Sequence, residues 1–448
     1  MLWLSIARIT GVEAGELSAV SQNPDGTVPI TADSGYYDFI QAGRSPVNDE
    51  GTVVFQTAAD SFLNIQEEEA HTWDLYTLEL GEDVDSLSIG ARWFNGIIAK
   101  GELLGFAFAD NRTAEIREVG DFPDTSEELW FRPLSGNDSS EAQQLAPDST
   151  DFRTPHFSDD GSCLVFSAND NTTVDPSDTN GKMDVFLQIF DVAGNPDVLT
   201  RISSRQHVPA QHTAADARQP DVSSDGTCIV FSSTDNGFVA DDSNNTDDVF
   251  LWKDGQITRV NRRVADQNDG LGVQTEFGAT RPVLSDPAED ATGGSVFFQC
   301  EDRYIVSNGE PEDSDGVVDM DVFRYEISTG AMTRISTTFS GEPGTGDSSE
   351  PDCSSDGRFV VFRSDAANFP YANGSSQIYA KDLENGYLQC VSRSAGGGGA
   401  NADCRAPAIS PNGRYVTFTS MATNLPNAAN SQAYQVFLYD RGTAYTNT

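Results

Sequence analysis

Three short acidic stretches carry the residue types best suited to metal chemistry. They are Asp178-Thr-Asn180-Gly-Lys-Met-Asp184, Asp242-Ser-Asn244-Asn-Thr-Asp-Asp248 and Asp313-Ser-Asp315-Gly-Val-Val-Asp319. Their shared form, D-x-[DN]-[GN]-x-x-D, alternates oxygen-bearing side chains around a turn. Calcium accepts six to eight oxygens in irregular geometry, so these nine residues are candidate calcium ligands. The pattern lacks the closing bidentate Glu of an EF-hand loop, so neighbouring oxygens or water would have to complete the shell. The competing reading is structural. Asp, Asn and Gly are good turn formers, and Asp184, Asp248 and Asp321 could pair with a nearby arginine.

Arginines form a second set. Arg44, Arg92, Arg153, Arg218, Arg281 and Arg405 each open a short strand, and Glu350 stands at the corresponding place in one further segment. A guanidinium presents a planar fork that matches carboxylate or phosphate, so such a set could capture an anionic ligand. In a chain this rich in aspartate, the favoured alternative is a repeated scaffold contact between neighbouring units through a repeated Asp.

Signs of catalysis are few. The histidines are His71, His156, His207 and His212. Only His156 falls on a strand that could line a channel, and it is the one histidine placed among the ligand-binding candidates. No nucleophile elbow, zinc-protease helix or phosphate-cradling glycine loop is present. The six cysteines form no CxxC pair, which argues against zinc and thioredoxin-like chemistry. Cys390 and Cys404 flank one loop and are the pair that a disulfide could join.

Charge narrows the partners. The chain has 448 residues, with 70 acidic against 27 basic and a formal net charge of -43. Only Lys100, Lys182, Lys253 and Lys381 are lysines. Such a surface repels nucleic acid and anionic membranes. No apolar run approaches the length of a transmembrane helix, and the N-terminus does not read as a signal peptide.

The elements that must position these residues repeat. "RTPHFSDDGSCLVFS" (153–167), "RQPDVSSDGTCIVFS" (218–232), "EPDCSSDGRFVVFRS" (350–364) and "RAPAISPNGRYVTFTS" (405–420) each read as strand, Asp/Asn-Gly turn, apolar strand, which is a strong hairpin signal. Weaker copies start at 44, 92 and 281. A third strand follows each hairpin ("DVFLQIF", "DVFLWKD", "DVFRYEI", "QIYAKDL", "QVFLYDR"). A fourth is clearest as "LTRIS", "ITRVN" and "MTRIS". Four strands per unit over seven units predicts an all-β, seven-bladed propeller in one domain. The blades are expected near 42–90, 91–147, 152–203, 217–261, 279–336, 349–392 and 404–441. The seventh unit lacks a fourth strand, and "IARIT" near the front resembles "LTRIS". Residues 5–10 are therefore expected to pair beside 435–441 and close the ring.

The repeated P-x-x-S-x-D-G … F-x-S … D-(V/I)-(F/Y) pattern resembles the WD40-like repeats of TolB-type β-propellers. The resemblance runs from about residue 44 to 440 and fades in units one, two and five. It implies a fold rather than a reaction. Propeller geometry puts the tight turns on one face and the long loops on the other, which is then the expected working face. The expected function is a non-catalytic, exported binding scaffold for a protein or an anionic carbohydrate. The alternative is a polyuronate-active lyase or hydrolase with a channel-mouth site, or a propeller belonging to a larger enzyme.

Overall fold

A computed structural model describes residues 319–428 and 434–442 throughout, most of 151–306, and a set of strands in the first 150 residues. Among the described residues there is no α-helix. The strands form six four-stranded antiparallel sheets, one three-stranded sheet and a two-stranded ladder.

In the third to sixth sheets, sheet order follows chain order. The third sheet runs Asp151–Phe157, Cys163–Asn169, Asp184–Phe190, Pro196–Arg201. The fourth, fifth and sixth sheets begin at Ala217–Val222, Ala279–Leu284 and Ser348–Cys353. The seventh begins at Cys404–Ile409 and continues through Tyr415–Ser420 and Gln435–Asp440.

The hairpin motif explains itself locally. Ser158 Oγ donates to Asp160 Oδ1 at 2.8 Å, and the same carboxylate oxygen accepts the Ser162 N–H at 2.8 Å. Gly161 between them adopts φ 69°. This serine–aspartate turn recurs at Ser223/Asp225 and Ser354/Asp356, and with Asn412 at Ser410. Side-chain capping of the turn and a left-handed glycine are the physical content of S-x-D-G. The glycine has a second reason to be small. A Cβ on Gly226 would come within 2.9 Å of Cys163 Sγ of the preceding sheet.

The first strand of each hairpin carries a bulge just ahead of its proline. Thr154, Gln219, Arg281, Glu350 and Ala406 all adopt positive φ, and the register slips across each. Proline cannot donate to the ladder, so a bulge is where it fits.

Apolar residues of consecutive sheets pack face to face. Val165, Leu187, Ile229, Phe231, Phe238 and Phe250 belong to one cluster spanning the third and fourth sheets. Val361, Ile378, Ile409, Val416 and Phe437 belong to another spanning the sixth and seventh. On the tight-turn side a relay of hydrogen bonds steps from sheet to sheet. Ser162 Oγ donates to Ser224 O at 3.3 Å, and Ser224 Oγ donates to Asp286. Asp286 N–H then donates to Ser355 O and Ser355 N–H to Pro411 O, both at 2.8 Å. Asn412 N–H finally donates to Asp49 Oδ1 at 2.7 Å, so the last hairpin touches the first.

Two sequence expectations are corrected. Arg8–Ile9 does not pair beside the seventh sheet; it pairs with Leu87–Ser88. The outer strand of the seventh sheet is Leu17–Ala19, with Leu17 opposite Tyr439 and Ala19 opposite Phe437. The "TRIS" signature misled because it belongs to sheets whose third strand starts with a buried Asp, whereas here that strand starts with Gln435. The second correction concerns unit two. Arg92–Trp93 pairs with Asp74–Leu78 as the outer strand of the first sheet, in which Val47 bridges Val53. The second sheet begins at Leu103–Ala109.

Candidate functional site

The described members of the acidic loops serve the scaffold. Asn180 Oδ1 accepts the Lys182 N–H at 2.6 Å, and Asn244 Oδ1 accepts the Thr246 N–H at 3.4 Å. Both are local Asx turns. Asp184 and Asp248 are buried at the start of their third strands. Asp184 accepts from Ser203 Oγ at 2.5 Å, and Asp248 accepts from Asn261 Nδ2 at 2.6 Å. Those partners also accept the next backbone amide, Val185 N–H at 2.9 Å and Val249 N–H at 2.8 Å. In the fifth sheet the corresponding residue is Asp321, held by Ser336 at 2.6 Å, rather than Asp319.

Arginine supplies the positive charge that a cation would bring. Arg259, fully buried, places Nη1 3.5 Å from both Asp242 Oδ1 and Asp248 Oδ2. Arg334 lies 3.4 Å from Asp321 in the same way. Burial, reinforced by the Asp248 charge and opposed by Arg259, pushes Asp242 up to about 7. Among the described residues no three His, Cys, Asp or Glu side chains are placed to hold a metal. Asp178, Asp313 and Asp315 lie outside the described residues.

Three of the arginines sit at one register level. Arg153, Arg218 and Arg405 pair with Ser167, Ser232 and Thr419 at the last position before the bulge. Arg281 stands one residue later, on the bulge itself, with Thr280 at the level. In the sixth sheet Ser349 takes the place and Arg363 lies directly across from it. Glu350 is a bulge residue and stands where Arg281 stands in the fifth sheet. Arg44 lies outside the described residues. Tying between sheets is done mainly by other side chains. Asp216, Asp347 and Asp403 accept the backbone N–H of Met183, Met320 and Ser376 at 3.2, 2.9 and 2.9 Å. Glu350 Oε2 accepts the Ala406 N–H at 2.7 Å, and Gln219 Oε1 the Arg281 N–H at 3.0 Å. Arg218 pairs with Asp247 at 2.9 Å, and Arg363 with Glu350 at 3.4 Å. Arg405 lies over the Tyr434 ring.

His156 is buried, with Nδ1 2.6 Å from Asp221 Oδ1. Asp221 Oδ2 accepts the Leu284 N–H at 2.6 Å, so one carboxylate joins three inner strands. Asp352 repeats this with Ile409 N–H at 2.8 Å. His71, His207 and His212 lie outside the described residues. All six cysteines are buried free thiols, Cys390 and Cys404 included. Burial pushes those two up to about 11 and about 12.

Among the described residues, the long loops between residues 337 and 428 are knit together. Thr345 N–H donates to Asn368 Oδ1 at 3.1 Å, and Asn368 Nδ2 donates to Pro343 O at 2.7 Å. Asn373 Nδ2 donates to Ala400 O at 2.7 Å, and Asn424 Nδ2 to Gly399 O at 3.0 Å. On this layer Phe339 is 72% exposed, Tyr371 stacks under Arg393 at 4.4 Å, and Met421 is exposed. Sequence reasoning missed Lys381. Its buried Nζ donates to Thr337 O at 2.7 Å and pins the base of the Phe339 loop. Burial brings it down to about 8. A lysine directly after the apolar run 378–380 of the third strand was the available signal.

No known family profile and no curated protein matches the chain. Solved structures do. The β-propeller domain of the Trilobed protease from Pyrococcus furiosus is similar with a TM-score of 0.50 at 12% identity, over 92% of this chain and 98% of that one. TolB from Acinetobacter baumannii gives 0.40 at 14% identity, over 86% and 79%. The acylaminoacyl peptidase of Pyrococcus horikoshii gives 0.48 at 11% identity, over 93% of this chain and 53% of that one. No helix among the described residues is long and apolar enough to cross a membrane. With four-stranded antiparallel sheets packed in succession, the likeness to the Trilobed protease domain marks the architecture as a β-propeller.

Proposed function

We propose that the chain is a seven-bladed propeller, exported, closed by Leu17–Ala19 on the seventh sheet, and that it acts as a binding scaffold through its long-loop face. One observation carries the function. Among the described residues, the long loops between residues 337 and 428 are hydrogen-bonded to one another in a layer that presents Phe339, Tyr371 and Met421 to solvent. Loops that merely tolerate length have no need of such cross-bracing, whereas a preordered surface loses less entropy on binding. Exposed aromatic side chains are the usual anchors of protein interfaces. His156, the candidate for a catalytic role, is engaged in joining inner strands, which favours binding over turnover. The test is affinity capture with the wild-type chain and with Phe339→Ser/Tyr371→Ser/Met421→Ser. The variant is expected to melt like wild type and lose the specific partner. A partner retained equally by both would move the binding surface elsewhere.

A further inference from the structure

One outer strand departs from the others. Pro196–Arg201 ends the third sheet and is six residues long. The outer strands of the fourth, fifth and sixth sheets have four, three and three residues. Ile257 and Arg259 are buried in the first of these, and Leu388 and Cys390 in the last. In Pro196–Arg201 no side chain is buried. Val198 and Leu199 are 46% and 39% exposed. Adjacent residues of a strand point to opposite faces, so this strand stands clear of the body on both.

Its backbone edge is open as well. Ile202 N–H donates to Val185 O, and Arg201 lies opposite Phe186. Inward-facing and outward-facing backbone groups alternate along an antiparallel strand. Leu199 N–H and C=O therefore point away from the sheet, and among the described residues no strand lies beyond them. A long exposed edge invites pairing and is normally blunted. Here the blunting features, Pro196 and the register slip between Pro196 and Val198, are confined to the start of the strand.

We propose that Pro196–Arg201 is a pairing edge for a second copy of this chain, joined antiparallel about Leu199. The strand is its own complement. With Leu199 opposite the partner's Leu199, counting two residues each way sets Asp197 across from the partner's Arg201 and Arg201 across from the partner's Asp197. Opposite charges directly across a strand pair are favourable, whereas like charges are not. One acid and one base leave the strand locally neutral, so a basic segment gains nothing there that a second copy lacks. Pairing about a two-fold axis uses the same edge on both molecules, so it closes at a dimer. The inference makes no use of the long-loop layer.

Sedimentation velocity of the full chain tests the edge, in about 500 mM NaCl to screen repulsion between two copies of net charge -43. A single short ladder makes a small interface, so monomer is expected at about 1 µM and a growing share of dimer toward about 200 µM. Leu199→Pro removes an outward N–H, a change that an edge strand tolerates. It should melt within a few degrees of wild type and weaken the dimer about tenfold or more. Arg201→Asp sets like charges across the pair and should weaken it too, while the swap Asp197→Arg/Arg201→Asp should restore it. Monomer at every concentration, a dimer that Leu199→Pro leaves intact, a swap that fails to restore pairing, or open-ended growth with concentration overturns the proposal.

Discussion

Arg259 shows how a buried charge cluster reads differently in sequence and in space. Asp242 and Asp248 look like cation ligands along the chain, yet their counter-charge arrives from a strand beginning eight residues after Asp248. Removing that guanidinium leaves two carboxylates buried without it. Arg259→Met is therefore expected to cost about 3–5 kcal/mol in urea unfolding, the usual penalty for breaking a buried ion pair from one side. The same cluster makes stability depend on pH. Asp242 is held near 7 in the folded chain, above its ordinary 3.8, chiefly by burial. A raised carboxylate binds its proton more tightly when folded, so stability falls as pH climbs from about 4 through 7 and the full cost stands above 7. Asp242→Asn should remove this slope, gaining on the order of 1–2 kcal/mol at pH 8 relative to wild type and little at pH 4. Urea midpoints across pH check it, and an unchanged slope would refute the assignment.

Hairpins were the most legible elements because each is specified by contacts a few residues apart. Ser354, Asp356 and Gly357 close their own turn, so the S-x-D-G pattern carried the strand pairs directly. Longer connections were not legible. The first strand of unit two was misplaced because that unit has no Asp-Gly turn, and nothing local distinguishes Arg92–Trp93 as an outer strand of the preceding sheet. The relay between third and fourth strands was half legible. "DVF" and "TRIS" were visible as repeats, but that Ser336 caps both Asp321 and the Val322 N–H needs the register. Ser336→Ala strands both groups and is expected to cost about 1–3 kcal/mol. Gly226→Ala should cost a similar amount or more, because it forces a side chain into the left-handed region at φ 69° and toward Cys163. Urea unfolding measures both, and a loss below about 0.5 kcal/mol for either would show that the site relaxes freely.

At the scale of the whole molecule two effects compete over the same carboxylates: specific cation binding and general self-repulsion. A net charge of -43 destabilises any compact state by mutual repulsion, and salt relieves it without binding anywhere in particular. The arrangement of the acids decides which effect dominates. Asp184, Asp248 and Asp321 answer to Ser203, Asn261, Ser336 and arginine rather than to one another. Repeated aspartates 216, 347 and 403 are spent on backbone amides. Screening should therefore account for nearly all of the ionic stabilisation. Raising NaCl from about 20 to 500 mM, which shortens the Debye length from roughly 20 to 4 Å, is expected to raise the melting temperature by several degrees. Calcium chloride at matched ionic strength should add no more than about 1 °C beyond that, and a chelator at constant ionic strength should remove nothing. Replacing Leu17, Ser18 and Ala19 by proline together gives the independent control. It should lower the melting temperature at every salt concentration, because a lost outer strand is a packing and ladder defect rather than a charge defect. A calcium increment well above that of matched sodium, surviving in the proline variant, would relocate a metal site to the loop residues flanking Asp178 and Asp313.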